Sequence, residues 1–429
     1  MAGRLPERVV LFHDFSQALG GASYLVQVLI DRLRARGMAV TFIAGDDGSR
    51  FARKDVEFVP LGGAALLERS RIGAMTLGLY NRRAARTTAE WIARNDSPGT
   101  VYHVHGWSKI LTPSIFGPLR KVSDRLVLHA HDYFNACPNG AFFNYQTGRS
   151  CGLEPLTAAC LRSRCDKASH AQKLWRSGRE GLRRGLLHGM ANADRLLLIH
   201  PGQAANFALA HWPQDKLFAV RNPVSPPCAE RVAAEGNRGV IFIGRISAEK
   251  GADLAALAAM RARVPITFVG DGAERERVRL MNPQARFLGR QDRAGIARAL
   301  RQARLAVMPS RWPEPFGLVA LEAIGSGVPA IVSDNALIAD EVAGAGFGLA
   351  IDTTDIDAFA AAITRLHADN AAVAAMSAAG HARYRDLCSS DDDWAGQIVG
   401  HYRTVLHGAA ARSLTPFPIE EDDHVASAV

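Results

Sequence analysis

No apolar run in the 429-residue chain approaches the roughly 20 residues that a membrane-spanning helix requires. The opening, Met1-Ala-Gly-Arg-Leu-Pro-Glu-Arg8, lacks a secretory apolar segment, so the sequence reads as cytoplasmic. Cysteine is scarce: the 6 residues include no Cys-x-x-Cys knuckle, and a cytoplasmic setting argues against disulfides. The first apolar run is not followed by a complete Gly-x-Gly-x-x-Gly, which a dinucleotide-dependent oxidoreductase would need. The cations are not interleaved with stacking aromatics and form no nucleic-acid-binding motif.

What is present is the composition of an α/β protein: 48% hydrophobic residues, 22% charged residues and 39 glycines. The length suits two domains of about 150 to 200 residues. The net charge of +9 is unevenly spread: residues 1–225 hold 30 Lys or Arg against 17 Asp or Glu, the remainder 21 against 25. Such a basic half implies an anionic partner. Two segments carry much of the charge, Glu68 to Arg94 with Arg82, Arg83 and Arg86, and Lys167 to Arg195 with Arg176, Arg179, Arg183 and Arg184. Basic amphipathic helices of this kind lie on anionic headgroups, although solvated surface helices account for either segment as well. A non-catalytic membrane- or nucleic-acid-binding module would explain the charge but not the ordered motifs below.

Short apolar runs alternate with helix-period stretches. Val9–Phe12, the glycine pair Gly20-Gly21, a helix from Tyr24 to Arg36 and Val40–Ile43 make a strand-turn-helix-strand unit, with further strands at 101–104, 126–128 and 195–199. After the proline-rich stretch from Asn222 the pattern restarts at 240–243, 266–269, 286–288, 305–308, 329–332 and 348–351. Two doubly wound domains are expected, residues 1–222 with a cysteine-containing insertion at about 133–170, and residues 237–388. Ser390 followed by Asp391, Asp392 and Asp393 caps a helix within 389–407, and the composition of 408–429 predicts disorder.

Three strings carry chemistry. Gly244-Arg245 to Lys250-Gly251 sets a guanidinium and an ammonium where a strand leaves the sheet, a place to neutralise a diphosphate without a metal. Glu314-Pro-Phe316-Gly317-Leu318 to Glu322 places two carboxylates eight positions apart around a helix start near Phe316, both projecting along one stripe, with backbone N–H groups of Phe316, Gly317 and Leu318 turned to a ligand. His131 and Asp132 end a strand, where an imidazole can meet a sugar hydroxyl. Cys137, Cys151, Cys160 and Cys165 crowd together; they bind a structural zinc ion or pack a loop as reduced thiols. Asp355-Ile-Asp357, formally a metal-holding pair, precedes an amphipathic stretch and reads as a helix cap.

The strings from Gly244 to Gly251, Gly270-Asp271-Gly272, Pro309-Ser310 and Glu314 to Glu322 resemble the donor-binding half of family 4 glycosyltransferases, retaining enzymes of the GT-B fold. The resemblance implies two Rossmann-like domains facing across a cleft, with a C-terminal helix returning to the first. It implies a hexosyltransferase (EC 2.4) that needs no cofactor, takes a nucleotide-sugar, and acts on a glycan or lipid-linked acceptor in surface or exopolysaccharide synthesis, peripheral on the cytoplasmic membrane face. Transferred residue by residue, it assigns Glu314 to the sugar hydroxyls, Glu322 to the ribose, and Arg245 and Lys250 to the diphosphate. His131 falls in the active site, and Gly20, Gly21, Gly244, Gly270 and Asp271 line the donor. An NAD(P)-dependent oxidoreductase is the alternative from another class.

Overall fold

The computed structural model describes residues 5–18, 20–66, 71–187 and 193–407. The tail expected to be disordered, 408–429, lies outside the described residues.

The apolar runs become the middles of two parallel sheets. The first sheet uses β1 (Arg8–His13), β2 (Ala39–Ala44), β3 (Glu57–Pro60), β4 (Thr100–Val104) and β5 (Leu126–Ala130). After a short antiparallel hairpin, β6 (Phe143–Asn144) with β7 (Arg149–Ser150), it is completed by β8 (Arg195–Leu198) and β9 (Leu217–Ala219). The order is β3-β2-β1-β4-β5-β8-β9. The second sheet runs β12-β11-β10-β13-β14-β15, from β10 (Gly239–Ile243), β11 (Ile266–Val269), β12 (Arg286–Phe287), β13 (Ala303–Met308), β14 (Ala330–Ser333) and β15 (Gly348–Ile351). Strands buried on both faces are near-continuous apolar runs, and Val9 to Phe12 and Val240 to Phe242 are all but inaccessible. In each sheet the order reverses beside the first strand, β1/β4 and β10/β13, and the loops leaving the strands' C-terminal ends open a crevice there.

The helix Asp391–His407 crosses back to the first domain. Trp394, Ile398, Val399 and Tyr402 pack with Val9, Leu11, Leu25 and Leu29, so the chain's last helix completes the first domain's core. Ser390 caps it, its hydroxyl accepting from the Asp393 N–H at 3.1 Å, and Arg32 reaches Asp391 at 3.3 Å. Residues 222–224 and Ser389 run side by side between the domains, joined by backbone hydrogen bonds from Val224 to Ser389 and from Ser389 to Asn222.

Two expectations need revising. The basic helix His170–Leu186 is not a solvated cationic face. Arg179 and Arg183 are buried, Arg183 bonding Glu180 and the Asn135 carbonyl and both guanidiniums lying over the Trp107 ring, while Arg176 pairs with Asp166 and Arg184 with Glu180. The cysteine segment likewise does not build a metal centre. Lys173, fully buried, puts its Nζ 3.1 Å from Cys160 Sγ, amid Cys137 and Cys165. Burial alone would lower the Lys173 pKa, but the Cys160 hydrogen bond and the nearby thiols raise it above the usual lysine value. The nearest cation to these thiols is thus a lysine ammonium bonded to Cys160, and among the described residues no three of the thiols lie within 4.8 Å of one another. Cys165 and Cys137 instead contact Asn139, at 3.4 and 3.1 Å.

Candidate active site at the interdomain cleft

The loop leaving β10 folds as a short turn, Ala248–Lys250, and Gly251 (φ +68°) then starts the helix Ala252–Arg261. A Cβ at Gly251 would sit 1.9 Å from the Pro309 carbonyl oxygen, so glycine lets this loop press against the end of β13. Lys250 thereby meets Glu314: its ammonium hydrogen-bonds Glu314 Oε2. The same oxygen accepts from Trp312 Nε1 at 2.9 Å and Ser310 Oγ at 3.2 Å, and Lys250 lies 5.1 Å from the Trp312 ring centre. Nothing in the sequence announced Trp312 as a partner beyond its place two residues before the acid.

Arg245 is largely exposed, its side chain 69% accessible, and 3.8 Å from Glu249. Glu249 also accepts two 3.0 Å hydrogen bonds from Lys167, which belongs to the cysteine segment of the first domain. The sequence offered no signal for this bridge, because its partners are 82 residues apart. Gly270 and Asp271 act on the same loop: Ile246 N–H donates to the Asp271 carbonyl at 3.1 Å, and Gly270 abuts Gly244. The Asp271 carboxylate itself accepts from the Gly272 N–H at 2.9 Å.

The helix carrying the second acid is Leu318–Gly325, beginning two residues after Phe316. Gly317 is its N-cap at φ +73°, and a Cβ there would come 2.5 Å from Ile338. Glu314 therefore lies in the loop ahead of the helix, not on one stripe with Glu322. Among the described residues, the backbone N–H groups of Phe316, Gly317 and Leu318 have no protein acceptor, leaving them for a ligand at the helix's positive end. Burial raises the Glu322 carboxyl to about 7, partly offset by the positive charge of Arg293. The charges of Glu322 and Arg293 both reach Tyr24 on the first domain's helix Gly21–Ala35. Gly20 and Gly21 open that helix, and Gly21 faces Leu318, a Cβ there lying 3.6 Å from Leu318 Cδ2.

His131 and Asp132 leave β5 on the opposite wall, and the charge of Glu314 is felt by the adjoining Tyr133. Asp132 accepts from the Phe134 N–H at 2.9 Å, which shapes the turn, and burial raises its carboxyl to about 6. Burial lowers His131 to about 3, so the ring is neutral. Asp355 caps Ile356–Ala368 by accepting from Asp357 and Ala358 N–H groups, both at 3.0 Å.

Two parallel-sheet domains meeting across a cleft, with a C-terminal helix crossing back, define the GT-B architecture. Residues 229–383 match the profile of the family described as glycosyl transferases group 1. Glycogen synthase of Mycobacterium tuberculosis is 30% identical over 214 residues, covering 47% of each chain. A GDP-mannose-dependent alpha-mannosyltransferase of Mycolicibacterium smegmatis is 30% identical over 182 residues, covering 42% of this chain and 46% of the relative. The chain thus spans about half the length of the curated relatives it matches. Sucrose-phosphate synthase from Thermosynechococcus elongatus shares the fold over 94% of this chain and 100% of its own, with a TM-score of 0.69 at 18% identity.

Proposed function

We propose that the chain is a retaining hexosyltransferase of family 4, moving a sugar from a nucleotide-sugar to an acceptor hydroxyl. The observation that carries this is the Lys250–Glu314 pair, braced by Trp312 and Ser310, beside the free N–H groups that open Leu318–Gly325. Lys250 and Arg245, with those N–H groups, would stabilise the charge that grows on the leaving diphosphate. Glu314 would orient the hydroxyls of the transferred sugar, Glu322 would hold the ribose, and His131 would meet the sugar from the opposite wall. The acceptor hydroxyl attacks the face the diphosphate leaves, and its proton passes to a phosphate oxygen of the departing group. Gly20-Gly21, with Gly21 seated against Leu318, would close over the donor.

A glycan or lipid-linked acceptor in surface or exopolysaccharide synthesis fits this chemistry, at the cytoplasmic face of the membrane. No helix among the described residues is long and apolar enough to cross a membrane. A peripheral contact is supported by the exposed Arg82, Arg83 and Arg86 on the helix Arg82–Asn95. The test is a thermal-shift screen against UDP-, GDP- and ADP-sugars followed by transfer of label from the stabilising donor. One nucleotide-sugar should raise Tm, and Glu314→Ala should abolish turnover with Tm of the free protein nearly unchanged. Full turnover in Glu314→Ala would refute the assignment.

A further inference from the structure

Four imidazoles fill the space between the cleft wall and the crossover helix Asp391–His407. His103 and His105 come from β4 and the turn after it, His129 and His131 from β5 and its turn. They form two hydrogen-bonded layers. In one, the Tyr402 hydroxyl is 2.6 Å from His103 Nδ1, and His103 Nε2 is 3.3 Å from His129 Nδ1. In the other, His105 Nδ1 is 2.9 Å from His131 Nε2. The layers lie against each other, the His103 and His105 ring centres 3.9 Å apart with planes tilted by 40°, and His129 stacked on His131 at 4.3 Å with planes 4° apart. Nitrogens of His103, His105 and His129 lie within 4.8 Å of one another, a spacing that also invites a transition metal. Both His103 nitrogens, however, are already hydrogen-bonded, to the Tyr402 hydroxyl and to His129, so a metal ion taking all three rings would have to break one of those bonds.

An N···N contact between neutral imidazoles holds one proton; His105 Nε2 is buried without a partner among the described residues, and a lone pair is left unpaired there more cheaply than an N–H, so His105 Nδ1 donates and His131 Nε2 accepts. The bond to His105 therefore commits His131 Nε2 and leaves His131 Nδ1, which has no protein partner among the described residues, to face a ligand. The rings stay neutral because burial pushes His105 and His129 well below the usual histidine value, so no second proton enters to break the bond.

We propose that His105 is a positioning residue for His131: through the Nδ1–Nε2 bond it selects the tautomer His131 presents to the transferred sugar, while the His129 stack stops the ring from turning. This rests on the glycosyltransferase reading of His131. His103, seated on His105 and tied to Tyr402, makes the crossover helix the outer support of that selection.

Long-range proton–nitrogen NMR on the full chain labelled with 15N-histidine reads the tautomer directly, and turnover of UDP-glucose and GDP-mannose gives the kinetic split. In the unsubstituted protein His131 should show one tautomer. His105→Phe keeps a ring for the stack and removes both nitrogens. It should leave His131 in a mixture of tautomers and lower kcat about tenfold or more, with donor KM changed less than about twofold. His105→Asn, whose amide falls near the Nδ1 position, should restore most of the kcat. A single, unaltered His131 tautomer in His105→Phe, or unchanged kcat, would overturn the proposal. So would two tautomers in the unsubstituted protein, an outcome that needs no variant to fold. Full turnover in His131→Ala would instead remove the functional reading of His131, whereas the NMR result decides the positioning claim by itself.

Discussion

Gly270 has φ +136°, and a Cβ there would lie 1.9 Å from the Gly244 carbonyl oxygen. The loops after β10 and β11 touch backbone to backbone at this point, so the loop bearing Arg245 and Lys250 is held by an absent side chain. Gly270→Ala should cost about 2 kcal/mol or more and lower Tm by several degrees, because both the dihedral and the contact oppose it. Gly236→Ala, with nothing within 4 Å of the added carbon, is the control expected to stay near the parent. Equal thermal-shift midpoints for the two variants would contradict this account. Arg245, Lys250, Glu314 and Glu322 were legible as residues with a chemistry, since their types and spacing stand in short strings. Trp312 as a donor to Glu314, and Lys173 as the cation among the cysteines, were not. A hydrogen bond or a buried ammonium depends on where a side chain points, which spacing does not record.

At the scale of elements, the interior strands were legible because continuous apolar runs between turns have few other uses. The strands missed were the two edges of the first sheet, Glu57–Pro60 and Leu217–Ala219, together with the two-residue hairpin strands. They are short and half wet, so their pattern carries little signal. The helix His170–Leu186 misleads in the other direction, since its cations read as surface yet Arg183 is fully buried and paired with Glu180. The crossover helix was signalled by Ser390 and three aspartates, but its packing rests on Trp394, fully buried against the first domain's core. Trp394→Ala should destabilise by about 3 to 5 kcal/mol and loosen the helix, seen as faster amide hydrogen exchange across 391–407. Exchange confined to the second domain would count against this packing role.

For the whole molecule, the histidines set an acid limit. Burial holds His13 near 4, His131 and His401 near 3, and His103, His105 and His129 well below 6.5. In the unfolded chain each takes a proton near pH 6.5. Below that pH the unfolded state gains about 1.4 kcal/mol per imidazole per pH unit, until the folded value is reached. Glu322 and Asp132, raised to about 7 and about 6, act in the opposite sense, the fold gaining as pH falls through those values. Six imidazoles outweigh two carboxyls, leaving a net loss on the order of 5 kcal/mol between pH 7.5 and 5.5. Tm should therefore fall steeply over that interval, and a flat calorimetric profile would show that the block is not held neutral. The sequence by itself determined the alternation of strand and helix, the glycine-bounded loops and the acids and cations they carry, because periodicity and turn chemistry act over a few neighbouring residues. Only the tertiary structure decided that Tyr402 would meet His103 across 299 positions and that Lys167 would reach Glu249 between domains. Those meetings depend on strand order and on the path of the last helix, which follow from how whole layers bury their apolar faces and leave no mark in any local stretch of chain.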